Sequence, residues 1–347
     1  MTGAAEHRAP GHDRLDLPPP PSAYFALPAD FGTRFLVFVD TEEEFDWSGP
    51  RRRRGTSTTT ITALPEMQQR LRAAAIEPVY LIDYPVAGDP RAVAILRGFV
   101  EAGEAVVGAQ LHPWVNPPLE EQLTTVNSFA GNLPRELELA KLAELTDLIE
   151  RGIGRRPWIY RAGRYGIGPH SAELLDSLGY DLDVSVRALF DYVEEGGPDF
   201  TAIEPRPYWA GASGNILELP LSAAYVGLLR DRGATLFPST KRFPLSRGVL
   251  ARGRLLARVP LTPEGTSPKE AIAAIRRLIE IGVQAISLSF HSPSLVPGHT
   301  PYVRNERELR SFHRWWDAVL DFLAGEGIQP ASATELMQAA ERARAST

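Results

Sequence analysis

Residues 34–47 read RFLVFVDTEEEFDW, a run of apolar side chains that stops on an acid and continues into an acidic, aromatic loop. An uninterrupted apolar run of this length reads as a buried strand. A carboxylate directly at its end, Asp40, is costly without a cation or hydrogen-bond donors to receive it. Asp40 and Glu42 are two residues apart, so an extended backbone points both to one side. A hard or borderline divalent cation would satisfy both observations. Glu43, Glu44 and Asp46 then stand around such a site or face solvent.

Helical and strand patterns alternate outward from this run. A helix is expected over 61–75, a strand over 78–83 (PVYLID), a helix over 91–102 stopped by Gly103, and a strand over 105–111 (AVVGAQL). After a polar loop, Pro134 opens a helix over 135–151 with Leu137, Leu139, Leu142, Leu145 and Leu148 along one face. Further strands read at 157–161, 181–186, 216–220 and 285–290, and further helices at 171–178, 268–281, 306–323 and 333–344; residues 187–214 read as an ordered loop. About seven β-then-α units imply a parallel sheet closed as a barrel rather than left open. The expected organisation is a Pro-rich, disordered leader over 1–30 and one barrel domain over 31–347. The leader lacks the apolar core of a signal peptide, and no apolar stretch is long enough to span a bilayer, so a cytoplasmic location is expected.

Composition narrows the chemistry. There is no cysteine among the 347 residues, which removes disulfides, thiolate nucleophiles and Cys-ligated metals. A net charge of −6 argues against a nucleic-acid partner. Of the 37 basic residues only Lys141, Lys241 and Lys269 are lysines, which disfavours Schiff-base chemistry. No serine-hydrolase elbow, phosphate-binding loop, zinc-protease helix motif or dinucleotide fingerprint occurs in the required context.

In a (β/α) barrel, functional residues collect where strands end and the following loops begin. Here those places carry Asp40 to Trp47, then Gln110, His112 and Trp114, then Arg161, Arg164 and Tyr165, then Glu218, and finally His291. Gln110 and His112 repeat the two-residue spacing of Asp40 and Glu42. His291 can serve as a general acid near neutral pH, or anchor the loop that follows it. His299 is a spare ligand candidate. Arg161 and Arg164 could hold Asp40 ionised, clamp an anionic group of the substrate, or brace the rim by ion pairing. Trp47, Trp114 and Trp209 suit stacking on sugar rings. Arg51 to Arg54 read as a solvated loop or as a contact for an anionic partner.

FVDTEEEFDW, GAQLHPWVNPP, YRAGRYG, LELP and SFHSPSLVPG, in that order over residues 34–336, resemble the polysaccharide deacetylase superfamily, the NodB-homology carbohydrate esterases, in a WalW-like branch. The resemblance implies an α/β fold, a single distorted (β/α)7 barrel, and a metal-dependent hydrolase that removes N-acetyl groups from a sugar or polysaccharide. It implies a divalent metal, most often Zn2+, with Glu42 and His112 as ligands and Gln110 standing where a second histidine is usual. Asp40 matches the general base and His291 the general acid, and Arg161 or Arg164 matches the arginine that orients the base. Trp47, Trp114 and Tyr165 are the expected substrate-binding residues. Two departures stand out: position 41 is Thr where an acid is common, and Gln110 is a neutral ligand. Two rival readings remain, a non-catalytic carbohydrate-binding barrel and a metal-free glycoside hydrolase using Asp40 with Glu218.

Overall fold

The apolar run at 34–40 lies where its two-sided hydrophobicity requires, inside a parallel sheet. In the computed structural model, which describes residues 12–47, 49–54, 56–240 and 244–346, β1 (Arg34–Thr41) pairs in parallel with β10 (Ala285–His291) and with β2 (Val79–Ile82). β3 (Val106–Leu111), β4 (Ile159–Ala162), β5 (Leu182–Asp183) and β7 (Ile216–Glu218) extend the parallel series, and β6 (Tyr208–Ala210) ends it antiparallel to β7. β11 (Gln329–Pro330) joins the start of β1, and β8 (Ala223–Val226) forms a separate hairpin with β9 (Ala257–Pro260). The parallel strands with their outer helices make the expected distorted (β/α)7 barrel.

Its seam is closed by side chains. β7 and β10 share no backbone ladder, but the Ser222 N–H donates to Ser287 Oγ at 2.7 Å and the Ser287 N–H to Ser222 Oγ at 3.0 Å. A hydroxyl both accepts and donates, so two serines can bridge strands too far apart for a ladder.

The period-two rule divides each strand between two cores. Val37 and Val39 face the helices Leu64–Ala73, Pro90–Glu101, Arg135–Ile153, Pro268–Glu280 and Glu306–Gly325, whereas Leu36 and Phe38 fill the barrel interior with Leu81, Ile159 and Leu217. Each fully buried aliphatic or aromatic side chain in these layers contributes roughly 1.5–3 kcal/mol. Asp40 and Glu42 continue the inner row of β1, just as Ser287, Ser289 and His291 continue that of β10, and all five line one cavity. The apolar filling of the barrel therefore passes directly into a polar mouth.

Three expectations are revised. Residues 12–30, expected to be a disordered leader, pack against the barrel, while residues 1–11 lie outside the described residues. Leu15 is fully buried, Leu27 and Phe31 join Leu336 and Ala339 in plugging the barrel interior, and Leu27 exchanges hydrogen bonds with Gln284. An isolated barrel leaves its lower apolar layer open, and these side chains cover it. The strand expected over 181–186 leaves the ladder after Asp183, because the hydroxyl of Ser185 takes over as acceptor for the Ala162 N–H at 2.7 Å. The expected loop 187–214 contains β6, and the helices Gly233–Ser239 and Pro244–Arg252 occupy the connection between β8 and β9. Among the described residues, no helix is long and apolar enough to cross a membrane.

Candidate active site

A cavity of about 330 Å³ opens at the C-terminal ends of the strands. Asp40, Glu42, Gln110, His112, Arg161, Arg164, Tyr165, Trp47, Trp114 and His291, all named from the sequence, line it. Strand register explains much of this gathering: Asp40 stands beside His291 across β1 and β10, and Gln110 beside Arg161 across β3 and β4.

Asp40 is buried and receives a hydrogen bond from the Arg161 guanidinium, whose Nε donates to the Val184 carbonyl at 3.0 Å. Arg161 lies over the Phe38 ring, so the top of the barrel core supports it. Arg164 turns to the rim instead, donating to Ser128 and Glu195 and stacking on Phe129. Of the two arginines, Arg161 is the one that reaches Asp40.

His291 Nε2 lies 3.5 Å from Asp40 Oδ2, and its Nδ1 lies 2.6 Å from Glu264 Oε2. Glu264 also accepts the His291 backbone N–H at 3.1 Å and the Ser294 hydroxyl at 2.5 Å. Burial works against the imidazolium, but Glu264, Glu42 and Asp40 outweigh it and raise the His291 pKa to about 10. Burial likewise pushes Glu264 up, yet His291 and the donated hydrogen bonds bring it below the usual value. Glu264 was missed in the sequence. It sits in the turn after β9, with no local pattern that distinguishes it from a surface acid.

His112 presents two faces. On one, its Nδ1 lies 2.8 Å from Glu43 Oε2, and Glu43 Oε1 accepts the Trp114 indole N–H at 2.8 Å. Asp83 completes this face by accepting the Glu43 backbone N–H at 2.7 Å and the Val86 N–H at 2.9 Å. On the other face, His112 Nε2 lies 3.5 Å from Glu42 Oε2 and looks into the cavity. Burial lowers the His112 pKa to about 4, so the ring is neutral at pH 7 with one nitrogen free to act as a ligand. Gly163 must be glycine here, since a Cβ would sit 2.3 Å from His112 Cδ2. The loop after β3 is held by Lys141, a buried ammonium that donates to the Pro113, Asn116 and Pro118 carbonyls. Asp83 carried the same signal as Asp40, an acid closing the apolar run PVYLID.

The ligating atoms of Glu43, Asp83 and His112 lie close enough together to hold a cation. Their hydrogen bonds to Trp114, Val86 and one another already use those carboxylates. On the cavity side, Glu42 Oε1 and Gln110 Oε1 are buried without a hydrogen-bond partner. Burial pushes the Glu42 carboxyl well above its ordinary pKa, with His291 opposing and Glu43, Asp40 and Asp83 adding to the rise. Orphaned carboxylate and amide oxygens beside a free imidazole nitrogen fit a divalent cation of hard or borderline character.

The remaining candidates separate. Trp47 is half-buried, stacked on Phe45 and edge-on to His291, and presents a face to the cavity. Trp114 is only 1% exposed, with its ring stacked on His112 and its N–H spent on Glu43, so it holds the histidine rather than offering a platform. Trp209 lies outside the cavity, stacked on Phe25. Glu218 is buried beside Asp183 and also lies outside the cavity, which deprives the paired-carboxylate glycosidase reading of its second acid. His299 lies outside it too and pairs with Glu44 at 3.3 Å. The four-arginine run is not simply solvated: Arg51 lines the cavity over Phe45 and Trp114, and Arg53 bonds Glu121.

No known sequence family and no curated protein matches the chain. Solved structures do. A protein from Mycobacterium smegmatis, described as a polysaccharide deacetylase, shares 16% identity with a TM-score of 0.52, covering 94% of this chain and 95% of that one. A 4-alpha-glucanotransferase from Thermococcus litoralis shares 12% identity with a TM-score of 0.50, covering 88% of this chain and 40% of that one. A family 4 acetyl xylan esterase from Clostridium thermocellum, in complex with a cobalt ion, shares 13% identity with a TM-score of 0.41, covering 88% and 91%. The first two likenesses establish the fold, a distorted (β/α) barrel that the chain shares with both proteins. Because a glucanotransferase shares it at nearly the same score, function has to be argued from the side chains.

Proposed function

We propose that the protein is a divalent-metal-dependent hydrolase of the polysaccharide deacetylase type, removing an N-acetyl group from a sugar or polysaccharide. The observation that carries this reading is the Asp40–His291 pair, 3.5 Å apart at the cavity floor, with Arg161 behind the acid and Glu264 behind the imidazole. A carboxylate and an imidazolium side by side, each held by its own partner, are the base and acid that amide hydrolysis requires.

Glu42, His112 Nε2 and Gln110 would hold the cation, with zinc as the favoured ion, and Glu43 would fix the His112 tautomer through Nδ1. When bound, the cation would supply Lewis-acid polarisation of the acetamide carbonyl. Asp40 Oδ2 takes a proton from the attacking water as its oxygen bonds to the carbonyl carbon. Arg161 orients Asp40 for this step by donating to its carboxylate. His291 Nε2 then donates its proton to the amide nitrogen as the C–N bond breaks, leaving the free amine and acetic acid, which passes its remaining proton to solvent to become acetate. The proton on Asp40 returns to His291 across the short gap between them, which resets the pair. Trp47, Tyr165 and Tyr302 offer aromatic faces to the sugar ring at the cavity wall.

Zinc-loaded protein should release acetate from N-acetylated glycans, and Asp40→Asn should abolish release while the circular dichroism spectrum stays unchanged. A protein that binds sugar but releases no acetate from any N-acetylated glycan, with zinc bound, would instead be a carbohydrate-binding barrel.

A further inference from the structure

Most charges that line the cavity are matched in pairs: Arg161 with Asp40, His291 with Glu264, and Arg164 with Glu195. Glu42 is accounted for by the proposed cation. Two guanidiniums remain, Arg51 and Arg187, and neither forms an ion pair with a carboxylate among the described residues.

Arg187 follows β5 and is half-buried among aromatic rings, 4.0 Å from the Phe190 centroid and 5.1 Å from that of Tyr165. Its one side-chain hydrogen bond goes to the Tyr192 hydroxyl at 3.2 Å. Ring stacking stabilises the faces of a guanidinium and leaves its in-plane N–H donors available. A cation drawn out of water without a counter-charge is expensive, and the rings offset only part of that cost. Arg51 stands over Phe45 and Trp114, with a long 3.5 Å bond to the Asp46 carbonyl. Burial and the neighbouring Arg164 hold its pKa below the usual value, against the opposing charges of Glu42, Glu43 and Glu195, none of which is close enough to form an ion pair with it.

We propose that the cavity carries an anion subsite, formed by Arg187 with Arg51, that takes a carboxylate or phosphate borne by the sugar substrate. The assignment rests on the deacetylase reading for the position of the acetamide, and it narrows the substrate class to acidic N-acetylated sugars. The paired oxygens of a carboxylate or phosphate match the forked donors of arginine, whereas a neutral sugar would leave both guanidiniums without an ion-pair partner.

Titration calorimetry on the full-length protein tests this with N-acetylglucosamine, its 6-phosphate, and N-acetylmuramic acid, which carries a carboxylate. At least one charged sugar should bind about tenfold to a hundredfold more tightly than the neutral one, and added salt should shrink the difference. Preference for one charged sugar over the other supports the subsite and identifies its anion. Arg187→Gln should remove most of the preference and Arg187→Lys should restore part of it; Arg51→Gln, on a separate loop, provides a second reading should Arg187→Gln fail to fold. Equal binding of all three sugars by the unaltered protein, or a preference that survives both glutamine variants, overturns the proposal. Acetate release recorded in parallel keeps the two readings apart. Release without a charge preference removes the subsite and leaves the deacetylase, whereas a charge preference without release from any sugar does the reverse.

Discussion

Replacing Glu264 by Gln tests how the catalytic acid is kept charged. Both Glu264 oxygens serve His291, through Nδ1 at 2.6 Å and the backbone N–H at 3.1 Å. Burial opposes the imidazolium, and Glu264 leads the charges that raise its pKa from 6.5 to about 10. Because the folded value lies above the unfolded one, this interaction contributes stability that is fully present below about pH 6.5 and is lost as pH rises through about 10. A rise of that size corresponds to about 5 kcal/mol, the net of the attraction to Glu264, Glu42 and Asp40 after the opposing cost of burial. Breaking the closest pair should then cost about 3 kcal/mol at neutral pH. Urea unfolding of EDTA-dialysed protein should show that loss at pH 7, with the gap to wild type narrowing toward pH 10. In the variant, burial should dominate, so the His291 resonance in a histidine-labelled NMR titration should move well below its wild-type midpoint. Acetate release by the zinc-loaded variant should fall by about a hundredfold or more, the usual scale for general acid catalysis. A stability gap independent of pH, or a His291 titration unchanged in the variant, refutes the reasoning.

Other expectations follow from the same geometry. Equilibrium dialysis should show zinc lost from Glu42→Gln but only weakened about ten- to a hundredfold in Asp83→Asn; the opposite order would move the cation to the Glu43–Asp83 face. Arg161→Gln should cost about 3–5 kcal/mol in urea unfolding, since it leaves a buried carboxylate without its cation, and a loss below about 1 kcal/mol would mean that solvent reaches the pair. Gly163→Ala places a Cβ 2.3 Å from His112 Cδ2 and 2.6 Å from the Leu111 carbonyl oxygen. It should destabilise the protein by about 1–3 kcal/mol and displace the His112 ring resonances, whereas wild-type stability would show that the turn has room to give.

Much of the barrel was legible because its signals are local. RFLVFVD, PVYLID and AISLSF are apolar runs bounded by breakers, and each appears as a strand within a residue or two of its expected limits. The ten named site residues line one cavity because strand ends in a barrel converge, whatever their separation along the chain. The misread parts lacked such signals. The Pro-rich segment before residue 31 looks unstructured alone, and only the open lower layer of the barrel provides a surface for Leu27 and Phe31. Trp209 and Trp114 were indistinguishable from Trp47 in sequence, since all three follow or form polar, loop-like stretches.

The sequence by itself determined the alternation of strands and helices, and with cysteine absent it restricted any metal site to carboxylate, imidazole and amide ligands. Tertiary structure alone decided the pairings: Arg161 rather than Arg164 on Asp40, Glu264 behind His291, and Glu43 on the far side of His112 from Glu42. The physical reason is range. Strand periodicity is written into neighbouring residues, whereas the protonation state of a buried side chain depends on charges and donors delivered by distant segments, and those become neighbours only when the barrel closes.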